Sequence, residues 1–272
     1  MTMETKVLKL GGGAGNDHTG TLKNLAERIR GGERWILVHG ASAAANKLAE
    51  EVGYPPQTLT TASGHTSRYT DARTIEIYRM AAAGINQQMT ATLASLGVNV
   101  VGLAGPNIIR AQRKAAIRAI KDGRSIMIRD DHTGTITQVN WTLLGNLLEA
   151  GYTPVVAPLA MGEQFEALNV DGDLAAANIA HALSAETLII LSNVPGLLRD
   201  IENPESLVTR IPLADLAQYE HLAAGRMKKK IMAAQAAQAP RVILADSRVE
   251  MPLDAALRGG GTWIVRDNLS RS

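Results

Sequence analysis

Lys9 lies inside a short apolar run, Val7-Leu8-Lys9-Leu10, that ends in Gly11, Gly12 and Gly13. A glycine loop directly after a strand brings backbone N–H groups close to phosphate oxygens, because glycine imposes no side chain there. A buried ammonium beside such a loop is costly unless an anion meets it, although an edge lysine whose stem snorkels gives the same pattern. The cluster Arg226, Lys228, Lys229 and Lys230 opens a predicted helix, where cations oppose the macrodipole and call for something anionic. His39-Gly40-Ala41-Ser42 closes a second apolar run and has the form of another anion-binding turn leading into a helix. Asn169-Val170-Asp171-Gly172-Asp173 precedes an alanine-rich helix, the usual place for capping aspartates. Ser192-Asn193-Val194-Pro195-Gly196 ends a strand with a Pro-Gly turn, which can seat adenine or ribose or be a turn and nothing more.

Two standard nucleotide motifs are excluded. A Walker loop needs Gly-x4-Gly-Lys-Ser/Thr, which is absent, and both Gly11 to Asn16 and Gly13 to His18 miss the last glycine of the Rossmann fingerprint.

The elements that must position these residues alternate between strand and helix. After the first strand and its loop, Leu22, Leu25 and Ile29 recur at helical spacing until Gly31, and Trp35 to Val38 reads as a second buried strand. Asp71 caps a long helix carrying Ile75, Tyr78, Ala82, Ile85, Met89 and Leu96, which Gly97 stops. Further buried strands are predicted at Val98 to Leu103, Thr153 to Ala157, Thr187 to Leu191, Arg241 to Ala245 and Thr262 to Val265, with helices near 141–150, 173–184 and 226–238. This pattern predicts an α/β fold, a three-layer αβα sandwich with a mainly parallel open sheet. Ala115 to Asn140 breaks the rhythm: turn signals at Asp122-Gly123 and Thr133-Gly134 bracket alternating residues, which predicts antiparallel hairpins, although Ala111 to Ile120 alone passes for a helix. Pro158 to Leu168 is the expected boundary between an N-terminal lobe over 1–165 and a C-terminal lobe over 166–272.

Composition narrows the chemistry. The 272 residues, 46% hydrophobic and 20% charged, suffice for one large core or two fused lobes. The absence of cysteine removes disulfides, thiolate catalysis and cysteine-ligated metals. Neither a signal peptide nor a membrane span is legible, so a cytoplasmic address is expected. A net charge of +2 gives no general reason to bind nucleic acid.

Singly these features are bland, but their order resembles the amino-acid kinase superfamily, in its N-acetylglutamate kinase branch, over residues 6 to 266. Within that branch the resemblance is greatest to the kinases that phosphorylate aminoadipate attached to the carrier protein LysW; Gly64 to Asp71 resembles that carrier-linked group. The resemblance implies an acceptor lobe and an ATP lobe joined through one sheet, a homodimer pairing through the long helix, and ATP with Mg2+ as cofactors. It also implies roles. Lys9 and Lys230 would hold the transferring phosphoryl group from opposite sides, with Asp173 aiming both. Gly11, Gly12 and Gly40 would present N–H groups to the phosphates, and Ser192, Gly196 and Met227 would lie around the nucleotide. Arg68 would bind the α-carboxylate of the acceptor and Asn169 its amide-linked nitrogen end, with Gly40 and Ala41 beside it. Phosphoryl transfer to a carboxylate needs positioning and charge neutralisation and no general base, so the lack of a Ser–His or Cys nucleophile is consistent. No metal-binding residue is named.

The departures discriminate among relatives. The branch's His-Gly-Gly-Gly is here His39-Gly40-Ala41-Ser42, its Asn-x-Asn-Ala-Asp is Asn169 to Asp173, and its Thr-Asp-Val-Pro-Gly is Ser192 to Gly196. Ala41 narrows the loop next to the acyl group, which argues against free N-acetylglutamate, the alternative acceptor. Arg110, Arg113, Lys114, Arg118, Lys121, Arg124 and Arg129 face only Asp122 in the hairpin region, a solvated face or a dock for an acidic carrier. The run contains no aromatic residue, so stacking platforms for nucleic acid are missing. A non-catalytic sensor on the same fold would have no need of Lys9 and Lys230.

Overall fold

The computed structural model describes residues 4–61, 66–121, 124–223 and 225–266. The chain begins with β1 (Thr5–Leu10), α1 (His18–Arg30), β2 (Arg34–His39) and α2 (Ser42–Glu51). Two short strands, β3 (Thr58–Thr61) and β4 (Thr66–Arg68), lead to the long α3 (Ala72–Ser95). Asp71 caps α3 by accepting the Thr74 N–H at 2.7 Å, a contact that contributes about 1 kcal/mol. There follow β5 (Val100–Leu103), β6 (Ile109–Arg113), β7 (Ile117–Lys121), β8 (Arg124–Ile128), β9 (Gly134–Val139) and α4 (Trp141–Glu149). Next come β10 (Thr153–Val156), β11 (Leu159–Met161), β12 (Ala167–Asn169), α5 (Gly172–Ala182) and β13 (Thr187–Ser192). The last elements are β14 (Arg210–Pro212), α6 (Arg226–Ala237), β15 (Arg241–Asp246), α7 (Pro252–Leu257) and β16 (Thr262–Val265).

Eight strands form one sheet in the order β14-β16-β15-β13-β1-β2-β10-β5, parallel throughout except where β15 meets β16. Its central strands are buried on both faces, and successive side chains go to opposite layers. Val7, Ile36, Val38, Leu188 and Ile190 join one core with the apolar residues of α4, α5 and α6. Leu8, Leu10, Trp35, Leu37 and Ile189 join the other with those of α1, α3 and α7. The architecture is thus the three-layer sandwich predicted. No helix among the described residues is long and apolar enough to cross a membrane.

The region outside this sheet differs from expectation. Two further four-stranded sheets stand apart, β12-β11-β6-β9 and β4-β3-β7-β8. Only β7–β8 is the local antiparallel hairpin expected; its Asp122-Gly123 turn lies outside the described residues. β9 leaves that hairpin and pairs with β6. Thr133-Gly134 is therefore no hairpin turn: Thr133 bridges to Asn169 and Gly134 starts β9. The stretch 111–120 is not a helix: it holds the end of β6, a connection over 114–116 and the start of β7, with Ala111 and Ala119 buried in two different sheets. Pro158 to Leu168 carries β11 and β12, an antiparallel pair with Leu159, Ala160 and Leu168 buried.

Candidate active site

β1 lies at the middle of the large sheet, with β2 on one side and β13 on the other, and all three run parallel. Loops beyond the carboxyl ends of such strands form the crevice where open α/β sheets bind ligands. Here the loop after β1 and the loop after β2 touch backbone to backbone. A Cβ on Gly12 would sit 2.1 Å from the carbonyl carbon of Gly40, and one on Gly40 would sit 2.3 Å from the nitrogen of Gly12. Hydrogen bonds fix the approach: Gly40 N–H donates to Leu10 O at 2.9 Å and Ala43 N–H to Gly12 O at 2.7 Å. Gly11 N–H donates to Leu191 O at 3.0 Å, which ties the same loop to the end of β13 next to buried Ser192.

Lys9, Asp173 and Lys230 converge at this point although they come from β1, α5 and α6. Lys9 Nζ lies 2.6 Å from Asp173 Oδ1, and Lys230 Nζ donates to Asp173 Oδ2 at 3.1 Å. All three are buried, at 8%, 6% and 7% exposure, so one positive charge is left in excess where water is scarce. Burial by itself would raise the Asp173 carboxyl, but Lys9 and Lys230 outweigh it and hold the group well below the usual carboxylate range. Burial pushes the Lys230 ammonium below its ordinary value, with Asp173 opposing. The two aspartates of this loop have separate tasks: Asp171 caps α5, accepting from the N–H groups of Asp173 and Leu174, and pairs with Lys229 at 2.9 Å.

His39 is fully buried next to Gly40, and burial lowers it to about 4, so the ring is neutral at pH 7. Its Nε2 accepts from Asn86 Nδ2 at 3.1 Å, which leaves Nδ1 to donate to Gly40 O at 3.3 Å. Asn86 also donates to Val155 O at 2.9 Å, so α3 is fastened to the ends of β2 and β10.

Arg68 and Asn169 occupy a second part of the crevice. Arg68 donates from Nη2 to Ser42 O at 3.3 Å and to the Asn46 side chain, over the ring of Tyr78. This places it against the first turn of α2, beyond Ala41. Burial draws its guanidinium below its ordinary value, with Tyr78 opposing. Asn169 donates to Thr70 Oγ1 at 3.3 Å, and Thr70 Oγ1 donates to Arg68 O at 3.2 Å. At the centre of these contacts is Asp131, 1% exposed, which the sequence reading did not single out. Its carboxylate accepts the N–H groups of Thr70 at 2.9 Å and Thr133 at 2.8 Å, and its carbonyl accepts from Arg113 Nε at 2.8 Å. His132 N–H donates to Thr70 O at 2.6 Å and Asn169 N–H to His132 O at 2.8 Å. The two small sheets are thereby joined at the mouth of the site.

The remaining predicted residues are more scattered. Met227, half-buried in the first turn of α6, packs on the core beside α5. Gly196 has a structural need of its own: φ is +151° and a Cβ would meet Thr262 Oγ1 at 2.5 Å. The basic residues do not share one face. Arg110 lines a cavity of about 340 Å3 with the exposed Trp141, Arg113 is turned inward to Asp131, Lys114 is exposed, and Arg118 pairs across β7–β8 with exposed Met127.

Residues 4–243 match the model of the amino acid kinase family. The chain belongs to the amino acid kinase family. This kinase is 46% identical over 264 residues to a protein of Deinococcus radiodurans described as a LysW-aminoadipate kinase, covering 95% of this chain and 90% of the relative. It is 42% identical to a Thermus thermophilus protein of the same description, covering 95% and 99%. In solved structures the fold recurs in N-acetylglutamate synthase from Neisseria gonorrhoeae, with a TM-score of 0.78 at 24% identity; the match covers 97% of this chain and 60% of that one. It recurs too in carbamate kinase from Giardia lamblia bound to AMP-PNP, with a TM-score of 0.69 at 16% identity over 98% of this chain and 99% of that one. As a member of this family the chain is a phosphotransferase.

Proposed function

We propose that this kinase transfers the γ-phosphate of ATP to the side-chain carboxylate of aminoadipate carried by LysW, a step of lysine biosynthesis by the aminoadipate route. The observation that carries the reaction type is the buried Lys9–Asp173–Lys230 triad set against two touching glycine loops. Two ammonium groups on one carboxylate leave a positive charge for the transferring group, and the Gly12 N–H meets the phosphates; the N–H groups of Gly11 and Gly40, expected to do the same, are spent on Leu191 O and Leu10 O and shape the loops instead. As the acceptor oxygen forms its bond to phosphorus, the bond to the β–γ bridging oxygen breaks and its electron pair leaves with ADP. Asp173 keeps both lysines aimed throughout, and its low affinity for protons holds it ionised. Arg68 takes the α-carboxylate, Asn169 the amide-linked end, and Ala41 narrows the loop beside it. Ser192, at the end of β13, and the half-buried Met227 border the nucleotide, while Gly196 shapes the turn beside them. Mg2+ enters with ATP on its phosphates, the common habit of this ion in kinases.

The acceptor is read from the relatives named for LysW-aminoadipate. Glutamate on the same carrier is the second reading, favoured by a 37% identical relative from Cenarchaeum symbiosum described as a putative LysW-aminoadipate/LysW-glutamate kinase. An acidic carrier is steered by the charges of Arg110, Lys114 and Arg118 from different sides, while Arg113, turned inward, supports Asp131 at the mouth. Apart from Lys9 and the glycine loops after β1 and β2, which serve the phosphates, and Asn169, which serves the acceptor, we place acceptor binding in residues 1–165 and ATP binding in 166–272, the kinase in the cytoplasm, and two copies face to face through α3. ATP consumption with Mg2+ tests this, offering in parallel N-acetylglutamate, free aminoadipate, and a LysW-type carrier bearing aminoadipate or glutamate. Turnover only with the aminoadipate-bearing carrier is the expected result. Turnover with N-acetylglutamate alone would return the acceptor to a free amino acid.

A further inference from the structure

Four cations stand at the start of α6, and they are not equivalent. Lys229 pairs with Asp171 and Lys230 with Asp173. Arg226 is exposed, and among the described residues no carboxylate pairs with it. Its guanidinium instead lies over the phosphate loop: a Cβ on Gly13 would come within 3.0 Å of Arg226 Nη1. Arg226 and Lys230 are four residues apart on one helix, so they project from the same face one turn apart. One reaches the triad and the other the outer edge of the glycine loop.

We propose that Arg226 is a phosphate-binding residue for ATP, closing over the β- and γ-phosphates from the Gly13 side while Lys9 and Lys230 hold the transferring group from within. An unpaired cation in the first turn of a helix opposes the macrodipole, and an arriving phosphate removes that conflict. The planar fork of donors suits two phosphate oxygens at once, which a lysine cannot match. Because Arg226 is exposed and pairs with no carboxylate among the described residues, it gives up no ion pair there when the nucleotide arrives. When the γ-phosphorus leaves the bridging oxygen, the new charge on ADP falls on the side where Arg226 stands.

The test is direct binding of AMP, ADP and the non-hydrolysable analogue AMP-PNP to the wild type, Arg226→Gln and Arg226→Lys by calorimetry, beside kcat and KM for ATP. Arg226→Gln is expected to weaken AMP-PNP and ADP by about 10- to 100-fold while AMP changes little, the range for one charge-assisted contact. Arg226→Lys is expected to recover part of the loss. Equal weakening of AMP and AMP-PNP would mean that Arg226 serves the adenine side or local packing, and would overturn the proposal. Unchanged AMP-PNP affinity would do the same. Thermal unfolding of both variants guards against a folding defect, and should Arg226→Gln not fold, Arg226→Lys carries the same comparison of AMP with AMP-PNP. The wild-type control separates this inference from the acceptor assignment, since nucleotide binding requires no carrier.

Discussion

The side of the site that we assign to the phosphates and the side that we assign to the acceptor are built by different means. On the phosphate side, backbone meets backbone at Gly12 and Gly40, strand ends are fixed by a parallel sheet, and a triad of charges fills the remaining space. On the acceptor side, short strands from two small sheets meet through hydrogen bonds gathered on one buried carboxylate, Asp131. In the proposed reading the phosphoryl chemistry sits where backbone packs on backbone, and recognition of the acceptor sits where side chains gather on Asp131.

The largest loss is expected from Gly12→Ala, where the new methyl has no room against the Gly40 backbone. Prising the loops apart misplaces every phosphate donor, and a loss of roughly 100- to 1000-fold in kcat/KM for ATP is expected. A fall of less than threefold would show that the loops have slack.

The second prediction concerns pH and the same side. His39 falls from its ordinary 6.5 to about 4 on folding, so the unfolded chain takes up this proton first. Its stability contribution is complete above about pH 6.5 and is lost as pH falls through 4, a change of about 3 kcal/mol. Asp173, also depressed, adds its loss only below the ordinary carboxylate value of 3.8, so the two limbs separate in a titration of urea-unfolding midpoints. His39→Gln should flatten the upper limb and leave the lower one.

On the acceptor side, Asp131→Asn keeps one acceptor oxygen and loses the other. About tenfold in kcat/KM for the carrier-bound acceptor should go, with KM for ATP within twofold of wild type. Equal damage to both substrates would mean that the two sides are one mechanical unit. The smallest effect is expected from Arg118→Gln with Arg110→Gln: about threefold in KM for the carrier at low salt, vanishing at high salt.

The same division decided what could be read from the sequence. The long apolar runs of β1, β2, β13 and β15 and the caps and stops of α3 announced themselves, because burial on both faces and helical spacing are local signals. Lys9 stood out for being a cation in an apolar run. The two small sheets did not, since β3 pairs with β7 and β6 with β9 and β11 across long stretches of chain, and three- to six-residue strands have little periodicity. Asp131 precedes His132-Thr133-Gly134 in a polar stretch that reads as a turn; only tertiary structure reveals that Thr70 comes to meet it. At Asn169 to Asp173 both the cap and the charge partner were present, on different aspartates.

One consequence of the triad concerns how the molecule is made. Lys9 leaves the ribosome long before Lys230, yet both bind the same carboxylate of Asp173. A nascent chain that has finished α5 can bring Lys9 to Asp173, whereas the second cation and Arg226 arrive only when α6 has emerged. Contacts so far apart along the chain are slow to close. Catalytic competence therefore waits for α6, and a kinase cut short before α6 would be an inert chain rather than an uncontrolled consumer of ATP.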